Sequence, residues 1–184
     1  MIEPNWTILI SLFALCGLGC IFVARKNFKR YGLVFSISLV ISAALCLFFY
    51  LLGFYQFALP LSYVIPAAAV SFSFLVLFTI RFTPIRQAFS FYFMIVIFIF
   101  SLEVLIIKLS ELIRYRSGWD FWDSYTFYWA YTLGLGYIGG LFIPAKYRNP
   151  VDSDSKVYKL SYYLSLFFAI LLFIYIYSDY KGYI

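Results

Sequence analysis

The chain has no histidine among its 184 residues. That absence removes Ser-His-Asp and Cys-His catalysis, imidazole metal ligation and histidine proton relays together. Charge is scarce as well: only 12% of residues are Asp, Glu, Lys or Arg, against about 25% in a soluble domain. Cysteine is limited to Cys16, Cys20 and Cys46. The first two share a helix face, but with no histidine and no second cysteine pair they make neither a metal site nor a disulfide framework. Small residues packed inside a membrane helix account for them. No metal and no other cofactor is expected.

What is present is apolar. The chain is 65% hydrophobic and 24% aromatic, with a mean hydropathy of +0.93, so its solvent is lipid. Its length suits one integral membrane domain over residues 1–184 and no separate soluble domain. The net charge of +6 does not imply nucleic acid, because Lys and Arg lie in short loops between apolar runs, where topology explains them. The bilayer itself is the expected partner.

The pattern predicts an all-α, polytopic membrane helix bundle of about six transmembrane helices. The spans are residues 6–24, 31–52, 61–80, 88–109, 124–143 and 160–177. Each approaches the ~20 residues that cross a ~30 Å hydrocarbon layer. Pro66, near the start of the third, invites a kink that neighbouring helices can absorb. The first run has Glu3 before it and Arg25-Lys26-Asn27-Phe28-Lys29-Arg30 after it, the reverse of a secretory signal, so it is expected to stay as a span.

Ten of the fourteen basic residues fall in the loops after the first, third and fifth spans: Arg25, Lys26, Lys29, Arg30, Arg81, Arg86, Lys146, Arg148, Lys156 and Lys159. Lys108, Arg114, Arg116 and Lys181 fall on the other side. The positive-inside rule then puts the N-terminus and the C-terminus both outside, in a cytoplasmic membrane.

The chemistry gathers in a hairpin from Phe98 to Gly140. On a helical wheel with Glu103 as reference, Ser110 falls about 20° to one side and Arg114 about 20° to the other, with Glu111 near ~80° and Lys108 near ~140°. Glu103 lies roughly 9 Å inside the end of its span at ~1.5 Å per residue. An ionised carboxylate there costs several kcal/mol unless paired, so it is expected to face the bundle interior or a wet cavity. The candidate polar pocket comprises Glu103, Lys108, Glu111, Arg114, Asp120, Tyr128 and Tyr131. Arg114, Lys108 or a tyrosine of the fifth helix, Tyr128 or Tyr131, is the expected partner of Glu103.

The bland alternatives are a buried pair or a protonated acid that only fixes packing, and, for Lys108, Glu111 and Arg114, snorkelling into the headgroups. Asp120 and Asp123, three apart, could suggest glycosidase or divalent-metal chemistry. Against that, Asp123 or Ser124 is expected to cap the fifth helix while Trp119 and Trp122 anchor it at the interface. Asp120 stays open. Asp152-Ser153-Asp154-Ser155 lacks the length and closing Glu of a calcium loop. Thr132, Gly136 and Gly140, at four-residue spacing, form a stripe that lets another backbone approach, within the chain or from a second copy or membrane-protein partner.

Lys29-Arg30-Tyr31-Gly32, Glu103, Leu112-Ile113 with Tyr115, the block Trp119-Asp120-Phe121-Trp122-Asp123-Ser124-Tyr125-Thr126, Tyr137-Ile138-Gly139-Gly140 and Pro144 carry a resemblance. Together they resemble a family of small multi-pass membrane proteins of spore-forming Gram-positive bacteria, named after a clostridial hypothetical protein. The resemblance spans about Lys26 to Arg148, and its most specific part is the tryptophan-aspartate block. It implies a localisation and a topology but no reaction. Three functional classes are compatible with the sequence. The first is a non-enzymatic protein that assembles with itself or a partner. The second binds or transports a small molecule or lipid at a pocket around Glu103. The third is a lipid-acting enzyme that works through carboxylates.

Overall fold

The computed structural model describes residues 4–110 and 112–180. Among them are six long α-helices: α1 (Pro4–Ala24), α2 (Phe28–Leu51), α3 (Leu61–Phe82), α4 (Ala88–Leu109), α5 (Phe121–Phe142) and α6 (Lys156–Tyr180). Five of them, all except α5, are long and apolar enough to cross a membrane. α5 matches α3 and α4 in length at 22 residues, but its Tyr, Trp, Thr, Ser, Asp and Gly residues dilute its hydropathy. α3 runs unbroken through Pro66.

α3 and α5 form the centre. α1 and α2 pack on α3, α4 packs on α5, and α6 lies against α4 at the edge. α5 earns its place by a buried stripe of Ser124, Tyr128, Tyr131, Thr132, Leu135, Gly136 and Gly139, the three-four spacing of a helix face. A polar atom buried in such an interior is costly unless hydrogen-bonded, and hydroxyls pair across it. Tyr131 Oη lies 2.6 Å from Ser42 Oγ and 3.2 Å from Ser38 Oγ, tying α5 to α2.

At one end the α2–α3 and α4–α5 connections pair as short antiparallel strands, β1 (Tyr55–Phe57) and β2 (Ile113–Tyr115). Tyr55 stands opposite Tyr115, Gln56 opposite Arg114 and Phe57 opposite Ile113. Flanking bonds from Ala58 N to Leu112 O (3.1 Å) and from Arg116 N to Phe54 O (2.9 Å) extend the ladder. An all-helical reading does not anticipate these strands, for each is three residues long and its partner lies across two helices. Tyr55, Phe57, Ile113 and Tyr115 turn toward the bundle and Gln56 and Arg114 away from it.

The other three connections meet at the opposite end. Buried Arg81 donates to the carbonyls of Phe22 and Val23 at the end of α1, where the helix dipole is negative. Asn149 N donates to Arg81 O at 2.8 Å and Arg30 Nη1 to Phe142 O at 3.0 Å. Ten of the fourteen basic residues, in these connections and the helix ends beside them, therefore lie at this end.

Helix boundaries shift where caps decide them. α5 starts three residues before the expected Ser124, because Asp120 is its N-cap. Its carboxylate accepts from Trp122 N at 2.7 Å and Asp123 N at 3.1 Å, and Asp123 returns a bond to Asp120 N at 3.0 Å. This is a reciprocal capping box.

The glycine stripe is also corrected by one position. Gly136 faces the Tyr92 hydroxyl of α4 and Gly139 faces Ile80 of α3 and Val34 of α2. Thr132 is buried. Gly140 meets only the Arg148 guanidinium, which donates to Gly140 O at 2.8 Å. Helices therefore approach at Gly139, not Gly140. Gly139→Leu should lower stability by about 1–3 kcal/mol through overpacking. Gly134→Ala, whose methyl would meet nothing within 4 Å, should be neutral or gain up to ~1 kcal/mol of helix propensity. Thermal unfolding in detergent measures both, and equal midpoints for the two variants would refute the packing.

Candidate functional site

Glu103 sits two turns before the end of α4 and is only 7% exposed. Its carboxyl is met from the first turn of α5 by Ser124, fully buried, whose Oγ donates to Oε1 at 3.3 Å. The same hydroxyl oxygen accepts from Tyr115 Oη at 3.0 Å and from Trp119 Nε1 at 2.9 Å. Tyr55 Oη stands 3.1 Å away. Four elements thus converge on one oxygen: β1, β2, the approach to α5 and α4.

A serine hydroxyl has one proton to donate and two lone pairs to offer. Donation to Glu103 and acceptance from Trp119 and Tyr115 fill it, which leaves the Tyr55 proton without a place there. On the carboxyl, Tyr115 and Tyr128 lie close enough to interact, yet the second oxygen, Oε2, is buried without a hydrogen-bond partner. Such an atom is costly, about 1–3 kcal/mol for a neutral group and more for a charge. Burial first, and then the neighbouring Glu103, push the phenols of Tyr55 and Tyr115 well above their ordinary value. Both stay neutral donors.

Glu103 forms part of the wall between two cavities. The smaller, about 100 Å³, lies under the strands and is bounded by Ser42, Cys46, Tyr55, Phe127 and Tyr131 among others. The larger, about 200 Å³, lies between α1, α3 and α4, with Leu9, Cys16, Phe98 and Ile106 in its walls. Ala68, Phe72, Glu103, Ile113 and Tyr128 border both. Carbon dominates the lining, and Glu103 is the one carboxyl in it.

The structure brings together three of the expected pocket residues, Glu103, Tyr128 and Tyr131, and separates the others. Lys108 does not approach Glu103. Its ammonium pairs with Asp179 of α6 at 2.6 Å, each side chain about one-third exposed. Arg114 stands on the exposed side of β2, engaged in an interaction of its own. Asp120 is the helix cap. Glu111 lies outside the described residues. Tyr131 reaches Ser38 and Ser42 rather than Glu103, being about one turn deeper than Tyr128.

Ser124, Tyr55 and Tyr115 are the residues that sequence reasoning missed. Ser124 shares the 124, 128, 131, 135 face of α5, a signal that could have marked it as inward rather than as a cap. Tyr55 and Tyr115 carried no local signal. Among the described residues, no three His, Cys, Asp or Glu side chains cluster as metal ligands.

No family model, no curated protein and no solved structure matches this chain.

Ser124→Ala would strip a bond each from Glu103, Tyr115 and Trp119 in a buried site. A loss of about 2 kcal/mol or more is expected from the ~1–3 kcal/mol penalty of each unpaired group. Ser36→Ala, on an exposed face, should stay within about 0.5 kcal/mol of wild type. Matching thermal midpoints for the two variants would contradict the hub.

Proposed function

We propose that this protein is a multi-pass membrane protein that binds a lipid-like small molecule in the two cavities that share a wall at Glu103. The observation that carries the reading is the unpartnered Oε2 of a buried carboxyl in the wall common to both cavities. Together they reach the lower edge of the ~300–1,000 Å³ range of small-molecule pockets, which are mainly apolar with a few placed polar groups. Intramembrane acids mark such sites by default.

The two rival readings lose their supports. Gly136 of the stripe, and Gly139 beside it, are covered from within the chain, so neither argues for assembly with a second copy. Asp120 and Asp123 form a helix cap, so that pair does not argue for carboxylate catalysis.

The site lies in a bundle of six spans, α5 crossing as the fifth. The end rich in Lys and Arg faces the cytoplasm, with both termini and the paired strands outside. The resemblance of the tryptophan-aspartate block agrees with a cytoplasmic membrane of a Gram-positive bacterium.

Two measurements test this. Cysteine at Gln56 or Ser117 should react with an impermeant thiol reagent on intact cells, and cysteine at Lys26 or Arg86 should not; the reverse pattern would invert the topology. For binding, native mass spectrometry of the wild type released from detergent should show a retained lipid-like adduct. Ala68→Phe, which fills the wall region common to both cavities, should lose it, while Leu164→Phe on the exposed face of α6 should keep it. An adduct equal in all three would exclude the cavities as its location.

A further inference from the structure

The molecule offers two clues to what the site would hold: where the larger cavity opens, and which hydrogen bonds the smaller one leaves unmade. α1 packs on α3 and α4 packs on α5, so the seam between α1 and α4 is the thin side of the larger cavity. Phe98 shows it directly, because it lines that cavity and is still 59% exposed on the outer face of α4. At the strand end Ile113 borders both cavities and Phe57 the smaller. A molecule dissolved in the bilayer can therefore reach the cavity sideways, and one dissolved in water meets the strands first.

Inside the smaller cavity two polar groups have bonding capacity left over. Glu103 Oε2 accepts nothing. Tyr55 is the fourth claimant on a serine that can make three bonds. One is an acceptor and the other a donor, and both border the same space. A hydroxyl is complementary to the pair, since it donates to Oε2 and accepts from Tyr55. An amine satisfies Oε2 with charge assistance. Among the described residues no cation stands at the carboxyl: Ser124 and Tyr128 of α5, Tyr55 of β1 and Tyr115 of β2 surround it, and Lys108 is tied to Asp179. An anionic head would face Glu103 without a counter-charge in a medium of low dielectric.

We propose that the ligand is a single-chain amphiphile with a hydroxyl or amine head and no phosphate, entering from the bilayer between α1 and α4 and seating its head between Glu103 and Tyr55. This rests on the binding reading above and specifies its chemistry and route.

The test uses the full chain in phosphatidylcholine vesicles with three probes: dodecanol, dodecylamine and dodecyl phosphate, each carrying a diazirine at the far end of the chain. Photolysis followed by peptide mapping reports where that end lies. The alcohol and amine probes should crosslink saturably to residues 9–16 of α1 and 98–106 of α4, about tenfold above the phosphate probe, a ratio of ~1.4 kcal/mol. Glu103→Gln should abolish the advantage of the amine and leave that of the alcohol, because the amide carbonyl still accepts. Equal or stronger seam labelling by dodecyl phosphate overturns the head-group assignment while the binding reading stands. So does saturable labelling by the amine probe that keeps its advantage in Glu103→Gln. Labelling confined to α6 by all three probes overturns the amphiphile and its route. If the retained adduct of the wild type is then absent too, the binding reading falls with it.

Discussion

One oxygen, Ser124 Oγ, has four polar neighbours and bonds for three of them. In water the surplus would be absorbed by solvent. Inside an apolar bundle it has to be settled among the side chains themselves. That is why the strand pair sits where it does. Tyr55 comes from β1, Tyr115 from β2 and Trp119 from the turn before α5, and each is drawn to the same hydroxyl, so the two connections are pinned over the end of α4. The ladder Tyr55 to Tyr115 then forms with its tyrosines inward and Gln56 and Arg114 outward. Aromatic rings fill in around the pin: Trp119 lies 4.8 Å from Phe54 and 5.0 Å from Phe49, centroid to centroid.

The opposite end meets the same constraint with charge instead of hydroxyls. Arg81 is buried, and among the described residues no carboxylate pairs with it; its guanidinium is held by two carbonyls at the end of α1 and lies over the rings of Phe22 and Phe82. Arg148 does the same for α5, donating to Gly140 O and Ile143 O. Helix ends that would otherwise leave carbonyls bare are closed by arginines from other segments. Two of the basic residues gathered at this end, Arg81 and Arg148, thereby also act as caps.

The bundle was legible in the sequence because apolar runs of bilayer length leave few alternatives. Glu103 was legible too, since one acid in an apolar run has to turn inward. Its partner was not. Wheel geometry joins Glu103 to Arg114 and Lys108 on one continuous helix, but α4 stops at Leu109 and Ser110 is already extended, so Arg114 belongs to a strand and a different face. Lys108, ~140° round the wheel from Glu103, finds Asp179 on α6. Asp120 and Ser124 exchanged roles for a similar reason. Both suit a cap, and the choice depended on Tyr115 and Tyr55 arriving at Ser124, contacts that local spacing does not encode.

The cavities follow from a gradient of side-chain size along α5. Toward the basic end it offers Gly136 and Gly139, and Tyr92, Ile80 and Val34 close onto them. Toward the strand end it offers Phe127, Tyr128 and Tyr131, and Phe72 of α3 meets the last two ring to ring, at centroid distances of 5.9 Å and 5.1 Å. Rings in edge contact keep helix backbones apart, and such side chains have few rotamers with which to fill the space beside them. α4 crosses this gap with Glu103 and little bulk, since the adjacent Val104 and Phe100 turn into the cluster with Tyr128 and Ile176. Close packing at the glycines and open space at the aromatics are thus two results of one helix. The acid lies at the open end because only there does the fold leave room beside a carboxyl.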